Sequence, residues 1–343
     1  MRDRWTPLVI WACLSCGMSA AADVPRPDFS PASGAHGPAL EVTEENDWFA
    51  GTDRHYTQGL RALYLGAESG VPCGLRDFAV LGFRAETWRW GVEVGQQIFT
   101  PENLKAKLPQ AYDRPYAGWL YAGLALQRRG VTSGAGLPVL ENVQLQVGIV
   151  GPAALAKEEQ NAAHFLGGFG RAAGWRNQLG NEPGCALKYQ RMWRLSPEGR
   201  RDWGAELLPH AGASLGNVDT SARLGGTFRV GWRLPDDFGV QTIDALGLAA
   251  GGRAGRAGQR RWGGYVFVRP EARVVGYNEF LDGSLVRDGP CVGRRPFVGD
   301  IQGGVVLVLA RLDLAFTVGY RSAEFYGQHC EDAYGSIAVS LKL

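Results

Sequence analysis

Along most of the chain apolar and polar residues alternate strictly, the period-two signature of strands with two unlike faces. In Asn142-Val-Gln-Leu-Gln-Val-Gly-Ile149, Val143, Leu145, Val147 and Ile149 share one face, and Asn142, Gln144, Gln146 and Gly148 the other. Residues 223–234 repeat the pattern, with Leu224, Phe228, Val230, Trp232 and Leu234 opposed to Arg223, Thr227, Arg229 and Arg233. Residues 312–321 and the C-terminal 336–343 do so again. These stretches run to roughly 10 residues, the length a tilted strand needs to cross a bilayer, against about 5–6 in a soluble sandwich. Their polar faces carry Gln, Thr, Ser, Gly and Arg, which suits a wet lumen. About 12 such segments can be counted, an even number as closure of a bacterial barrel requires. The pattern therefore predicts an all-β fold, a transmembrane antiparallel β-barrel; a large secreted β-sandwich is the soluble alternative. Residues 131–138, 196–201 and 235–259 are expected to turn on the periplasmic side. Residues 48–54, 100–114, 151–184, 279–295 and 326–331 should form the outward loops.

One outward loop breaks the alternation. Residues 152–166 are rich in helix formers, start at Pro152 and stop at Gly167-Gly168, so a helix is expected in an extracellular loop. On it Gln160 and His164 are four apart and share a face, with Asn161 beside them. A loop helix whose His merely faces solvent is the plain alternative.

The N-terminus supplies the compartment. Met1-Arg2-Asp3-Arg4 precedes an apolar run from Trp5 to Cys16, then Ala20-Ala21-Ala22 as an A-x-A type cleavage site. Residues 1–22 are thus expected to be a signal peptide, residues 23–39 a flexible leader, and residues 40–343 the outer-membrane barrel. An ordinary N-terminal helix, or a lipoprotein anchored through Cys13 or Cys16, are the competing readings. Cys73, Cys185, Cys291 and Cys330 then remain in a compartment that permits disulfides. Cys291 and Cys330, each in a loop near the C-terminal end, make the favoured pair. Composition adds that 49 Gly, 11 Trp and 11 Tyr accompany only 20% charged residues, as in a sheet protein with many turns. A net charge of +2 without a basic stripe argues against nucleic acid.

A second polar group, Glu44-Glu45-Asn46-Asp47 and Asp53-Arg54-His55-Tyr56-Thr57, brackets the first hairpin at the rim where the loop helix must lie. Gathered carboxylates and amides are hard-oxygen donors that suit calcium better than zinc. Here the resemblance becomes specific. Glu45-Asn-Asp-Trp-Phe49, Asp53-Arg-His-Tyr-Thr-Gln-Gly59, Asp113-Arg-Pro-Tyr-Ala-Gly-Trp-Leu-Tyr121, Gln160-Asn-Ala-Ala-His164, Gly174-Trp-Arg-Asn-Gln178 and Asn278-Glu-Phe-Leu-Asp-Gly283 occur in order. Together they resemble the LpxR family of outer-membrane lipid A 3′-O-deacylases, over nearly the whole chain from about Leu40.

The resemblance implies a Ca2+-dependent esterase that removes the 3′-linked acyloxyacyl group of lipid A, with lipopolysaccharide as substrate and a monomer as the working form. It implies His164 as general base with Gln160 beside it, Asn46 and Asp47 as the Asn-Asp pair at the metal, and Thr57 as a rim threonine. A basic residue of the second outward loop completes the pattern, assigned to Lys105, with Lys107 as the alternative. Arg114 is a candidate grip for lipid A phosphate, or a structural salt bridge. Some members carry an acidic residue where this chain has Gly170, so a carboxylate from Glu44, Glu45 or Asp53 would have to stand in. His55 has a possible direct role, whereas His36, His210 and His329 are expected to be structural or solvent-facing. Two rival functions stand beside this one. The first is a non-catalytic pore, adhesin or scaffold that has lost the chemistry, and the second is an outer-membrane phospholipase.

Overall fold

The computed structural model describes residues 36–52, 54–71, 82–168, 170–196, 202–248 and 262–343. The signal peptide and most of the leader, Cys73 and Asp53 lie outside them. Twelve long strands form the wall: β1 Ala39–Asn46, β2 His55–Leu65, β3 Phe83–Thr100, β4 Ala117–Thr132, β5 Pro138–Val150 and β6 Glu182–Trp193. Then come β7 Trp203–Gly216, β8 Asp219–Trp232, β9 Gly263–Asn278, β10 Phe297–Leu309, β11 Leu312–Arg321 and β12 Asp332–Lys342. Neighbours pair antiparallel throughout, and the sheet closes where β1 meets β12 and β2 meets β3. Closure matters physically, because lipid offers backbone N–H and C=O groups no partner and a closed barrel leaves no edge. No described helix is long and apolar enough to cross a membrane.

The wall is inside-out relative to a soluble protein. Val42, Val94, Leu124, Val147, Leu224, Phe316 and Ile337 are exposed on the outer face. The alternate residues Glu41, Glu93, Gln146, Arg223, Thr317 and Ser336 are buried toward the lumen. Several inward carboxylates are neutralised locally. Arg61 bonds Glu41 at 3.1 Å, and Arg273 and Arg321 bond Asp300 at 2.9 and 2.6 Å. Glu45 is met by the Tyr56 hydroxyl at 2.7 Å.

The β8–β9 connection departs from the expected periplasmic turn. After Trp232 the chain bends at Arg233, whose φ of 50° is left-handed, and residues 234–248 run up the inside of the barrel. Near the periplasmic end Arg229 holds Asp237. Midway Arg269 bonds the Val240 carbonyl at 3.2 Å and Arg61 lies 3.5 Å from that of Gln241. At the top the Ile243 amide reaches Glu45 at 2.9 Å. The carboxylate of Asp244 there takes Arg223 at 3.2 Å, Arg273 at 3.2 Å and Arg321 at 2.6 Å. The return limb is held by Gln144 on the Leu246 carbonyl at 3.1 Å. Residues 234–248 thus occupy part of the lumen.

The expected Cys291–Cys330 disulfide is not formed. Both thiols are free, as is Cys185, and the Cys330 sulfur lies 2.8 Å from Arg54 Nη2. Loop position was a poor guide: the Cys291 loop folds back on α2 (Glu279–Asp282), through Val292 N to Leu281 O at 2.7 Å, while Cys330 sits beside the first hairpin.

Candidate functional site

The loop helix exists as α1, Ala156–Gly167, preceded by a 3-10 turn over Pro152–Ala154 and capped by Gly168 with φ 74°. Its buried residues Ala156, Gln160 and His164 recur every four positions, so one stripe faces the protein. That stripe does not hang over the barrel mouth. It lies against the outer surface of the wall, over the extracellular ends of β2, β3 and β4. Gln96, Ile98 and Thr100 belong to the outward-facing set of β3, yet all are buried, because the loop covers them. Gln96 Nε2 bonds the Ala154 carbonyl at 2.5 Å, and Ile98 packs with Ala156, Tyr116 and Trp175. Gly118 permits the approach: a Cβ there would stand 2.4 Å from the Ala156 Cβ. The glycine of the Asp113–Tyr121 motif is thus a seat for the helix.

The helix also engages the first hairpin. Asn46 pairs across β1–β2 with Gln58. The Gln58 amide donates at 3.1 Å both to Glu44 and to Glu159 on α1. Burial raises the Glu159 carboxyl above its ordinary value. Two carboxylates are therefore held either side of one amide, on the lipid-facing side of the wall, where apolar residues are the rule.

His164 is 8% exposed, and its Nδ1 lies 2.6 Å from the carbonyl oxygen of Gly170. A carbonyl can only accept, so Nδ1 carries a proton, and the neutral imidazole has its lone pair on Nε2. Gly170, where an acidic side chain was missed, contributes through its backbone. Gln160 is 1% exposed; its Oε1 accepts the Trp175 indole N–H at 2.7 Å, and its Nε2 has no partner among the described residues. Trp175 is held by Tyr116 at 4.8 Å between ring centroids. The second outward loop closes on the segment after α1, with Ala173 N on Leu104 O at 2.8 Å and Asn177 Nδ2 on Lys107 O at 2.9 Å. Lys105 and Lys107 are exposed on that loop.

Other sequence candidates have local tasks as well. Asn46 caps the turn Asp47–Ala50 by accepting Trp48 N at 2.8 Å. Asp47 is buried and accepts Arg54 N at 2.5 Å. Thr57, at a bulge in β2, bonds Thr100 at 2.7 Å between hydroxyl oxygens. Arg114 corrects the phosphate-grip expectation. It is 1% exposed on the lumen side, 4.6 Å over Phe99 and 3.2 Å from Glu324, so it is the structural ion pair. His55 is a clamp: its Nδ1 lies 2.6 Å from Asp332 and its Nε2 3.3 Å from Asp113, joining three outward loops despite a φ of 62°.

Gln58, Glu159 and Trp175 were not singled out from the sequence, whereas Glu44 was among the three carboxylates expected to stand in at the metal. Glu44 to Asp47 are four polar residues running, so both faces of the strand end are polar. Glu44 and Glu159 are hard-oxygen donors that no described Lys or Arg meets, and the Asn46 amide lies on the same face of β1 as Glu44. Among the described residues no group of three or more His, Cys, Asp or Glu forms a ready-made metal cage, so amides and water would complete the shell.

The structure is similar to "LpxR from Salmonella typhimurium", with 18% sequence identity, a TM-score of 0.69, and coverage of 89% of this chain and all of that one. The β domain of the Bordetella autotransporter BrkA (12% identity, TM-score 0.39) and the NanC porin (7% identity, TM-score 0.38) align over 90% and 89% of this chain and 100% of theirs. No curated protein sequence matches the chain. The family model described as outer membrane protein LpxR matches residues 8–343, nearly the whole chain. This protein is therefore an outer-membrane β-barrel and belongs to the LpxR family.

Proposed function

We propose that the protein is a lipid A 3′-O-deacylase: it hydrolyses the ester of the 3′-linked acyloxyacyl group in the outer leaflet. One observation carries this. A cluster of polar side chains sits on the lipid-facing wall at the outer end, roofed by a helix whose imidazole is held in a single tautomer. A membrane-facing surface tolerates such polarity at a cost, and here it lies at the ends of the strands, beyond their exposed apolar band. Trp48 and Phe165 remain exposed beside it, as interfacial aromatics do.

The residues supply a hydrolytic sequence. Water positioned at His164 Nε2 gives up a proton to that nitrogen as its oxygen attacks the ester carbonyl, while the Gly170 carbonyl steadies Nδ1–H. Negative charge gathers on the carbonyl oxygen, and the Gln160 Nε2 amide, on the same helical face, is suited to donate to it. As the C–O bond breaks, the proton on His164 passes to the departing sugar hydroxyl and the fatty acid leaves as its carboxylic acid. Glu44, Glu159, Asn46 and Asp47 would hold Ca2+, which when bound supplies Lewis-acid polarisation of the ester. Glu44 and Glu159 thereby replace the carboxylate that Gly170 lacks. Lys105 is suited to bind a lipid A phosphate.

Lipid A from cells expressing the chain, analysed by mass spectrometry with calcium present, should lack the 3′-linked acyloxyacyl group. Lipid A from His164→Ala cells should keep it. Unchanged lipid A in both overturns the reading, and fatty acid released from glycerophospholipid instead would make the protein a phospholipase.

A further inference from the structure

A second pair of carboxylates lies at the outer end of the barrel, away from α1. Glu279 opens α2 in the Asn278–Gly283 motif, which the hydrolytic site does not use. It is fully buried, and neither carboxylate oxygen has a partner among the described residues. The charge that acts on it is the carboxylate of Glu182, itself 3% exposed and inward-facing at the start of β6. Burial, and then Glu182, push the Glu279 carboxyl up to about 8. The inward carboxylates Glu41, Asp244 and Asp300 are each met by a guanidinium, and Glu45 by a hydroxyl. No described cation of the chain meets Glu279.

We propose that Glu279 and Glu182 bind a hard divalent cation of the calcium class, separate from the hydrolytic site. Two carboxylates without a counter-charge are the donors such an ion prefers, and the Ser284 hydroxyl beside Glu182 offers a further oxygen. Three extracellular connections meet at this point. Glu182 begins β6, the Glu279 amide donates to the Val218 carbonyl in the β7–β8 tip at 3.0 Å, and Glu279 itself opens the β9–β10 loop. An ion there pins all three and fastens α2 over the lumen.

The test uses the full protein in detergent, with calcium stoichiometry from equilibrium dialysis and melting with and without calcium. Glu279→Gln and Glu182→Gln should each bind one calcium fewer per chain than the unaltered protein. Both should lose part of the calcium-induced rise in melting temperature. Glu159→Gln should retain this ion. An unchanged stoichiometry and melting shift in Glu279→Gln, or in Glu182→Gln if the first does not fold, overturns the proposal, as does absence of bound calcium in the unaltered chain. Lipid A turnover does not enter the readout, so a failed deacylase assay leaves the result standing.

Discussion

The two polar regions of this barrel are built on opposite rules. In the lumen, charges come in matched sets: Asp244 on residues 234–248 is met by Arg223, Arg273 and Arg321, and Asp300 by two of the same guanidinia. Under α1, on the other side of the same wall, Glu44 and Glu159 share one amide and face no described cation. Matched buried ions add little net stability over apolar packing, yet removing one partner is costly. Their use inside is to mark the face: a wall with polar residues inward and apolar residues outward has only one register and one way to sit in lipid. The unmatched patch does nothing of that kind, because its charges sit on the face that ought to be apolar. Matching signifies structure, and on the function proposed above the mismatch is what suits the patch to bind a ligand.

The sharpest way to break that contrast is to remove one residue from each region. His164→Ala should lower deacylation by about 10²–10⁴-fold, the usual contribution of a general base, and leave the melting temperature unchanged. Mass spectrometry of lipid A and a thermal melt check both halves. Asp244→Ala should do the reverse. It leaves three arginines facing one another and should cost about 3–5 kcal/mol of stability, read as an earlier unfolding transition in denaturant. Equal loss of activity and stability in both variants would dissolve the distinction.

Sequence alone read these regions unequally. The wall was legible because alternation is local: Asn142 to Ile149 states its two faces within eight residues. The loop helix was legible for the same reason, from Pro152, the run of helix formers and Gly167-Gly168. Its docking side was not. That depends on Gly118 and Ile98, which are distant in sequence, and only polar residues at outward positions of the strand ends, Asn46, Gln58, Gln96 and Thr100, hinted at it. The luminal segment was illegible too. Asp236, Asp237 and Asp244 look like solvated loop acids until the barrel closes and sets them among arginines from four strands and Arg194 just past β6. The cysteines failed for a related reason, since shared loop character says nothing of which loops meet.

Smaller effects sharpen how the helix is seated. Gly118→Val places a branched side chain where a lone Cβ would already stand 2.4 Å from Ala156, so α1 must lift from the wall. A displacement of about 1 Å at a catalytic group can cost about 10²-fold, so kcat/KM should fall by that order while the barrel melts as before. Trp175→Phe keeps the packing on Tyr116 but removes the donor to Gln160, leaving a buried acceptor unpaired. The expected cost is about 1–3 kcal/mol in local order, visible as faster hydrogen exchange along α1 and roughly tenfold slower turnover.

The smallest effect concerns the clamp that ties the second outward loop to the hairpin. Burial opposes ionisation of Asp113, but the His55 imidazole and the backbone amides of Glu102 and Arg114 hold its carboxyl below the ordinary value. An acid whose folded pKa is depressed contributes stability above its unfolded pKa, near 3.9, and loses it as pH falls through the folded value. Asp113→Asn should therefore be less stable than the unaltered protein at pH 7, with the difference shrinking as the pH falls into the acid range and Asp113 becomes protonated. The loop it anchors carries Lys105 and Lys107, so the substitution should raise KM for lipid A more than it lowers kcat. A kcat loss with unchanged KM would mean that this loop acts on the chemistry, and that the matched charges of the rim are not purely structural.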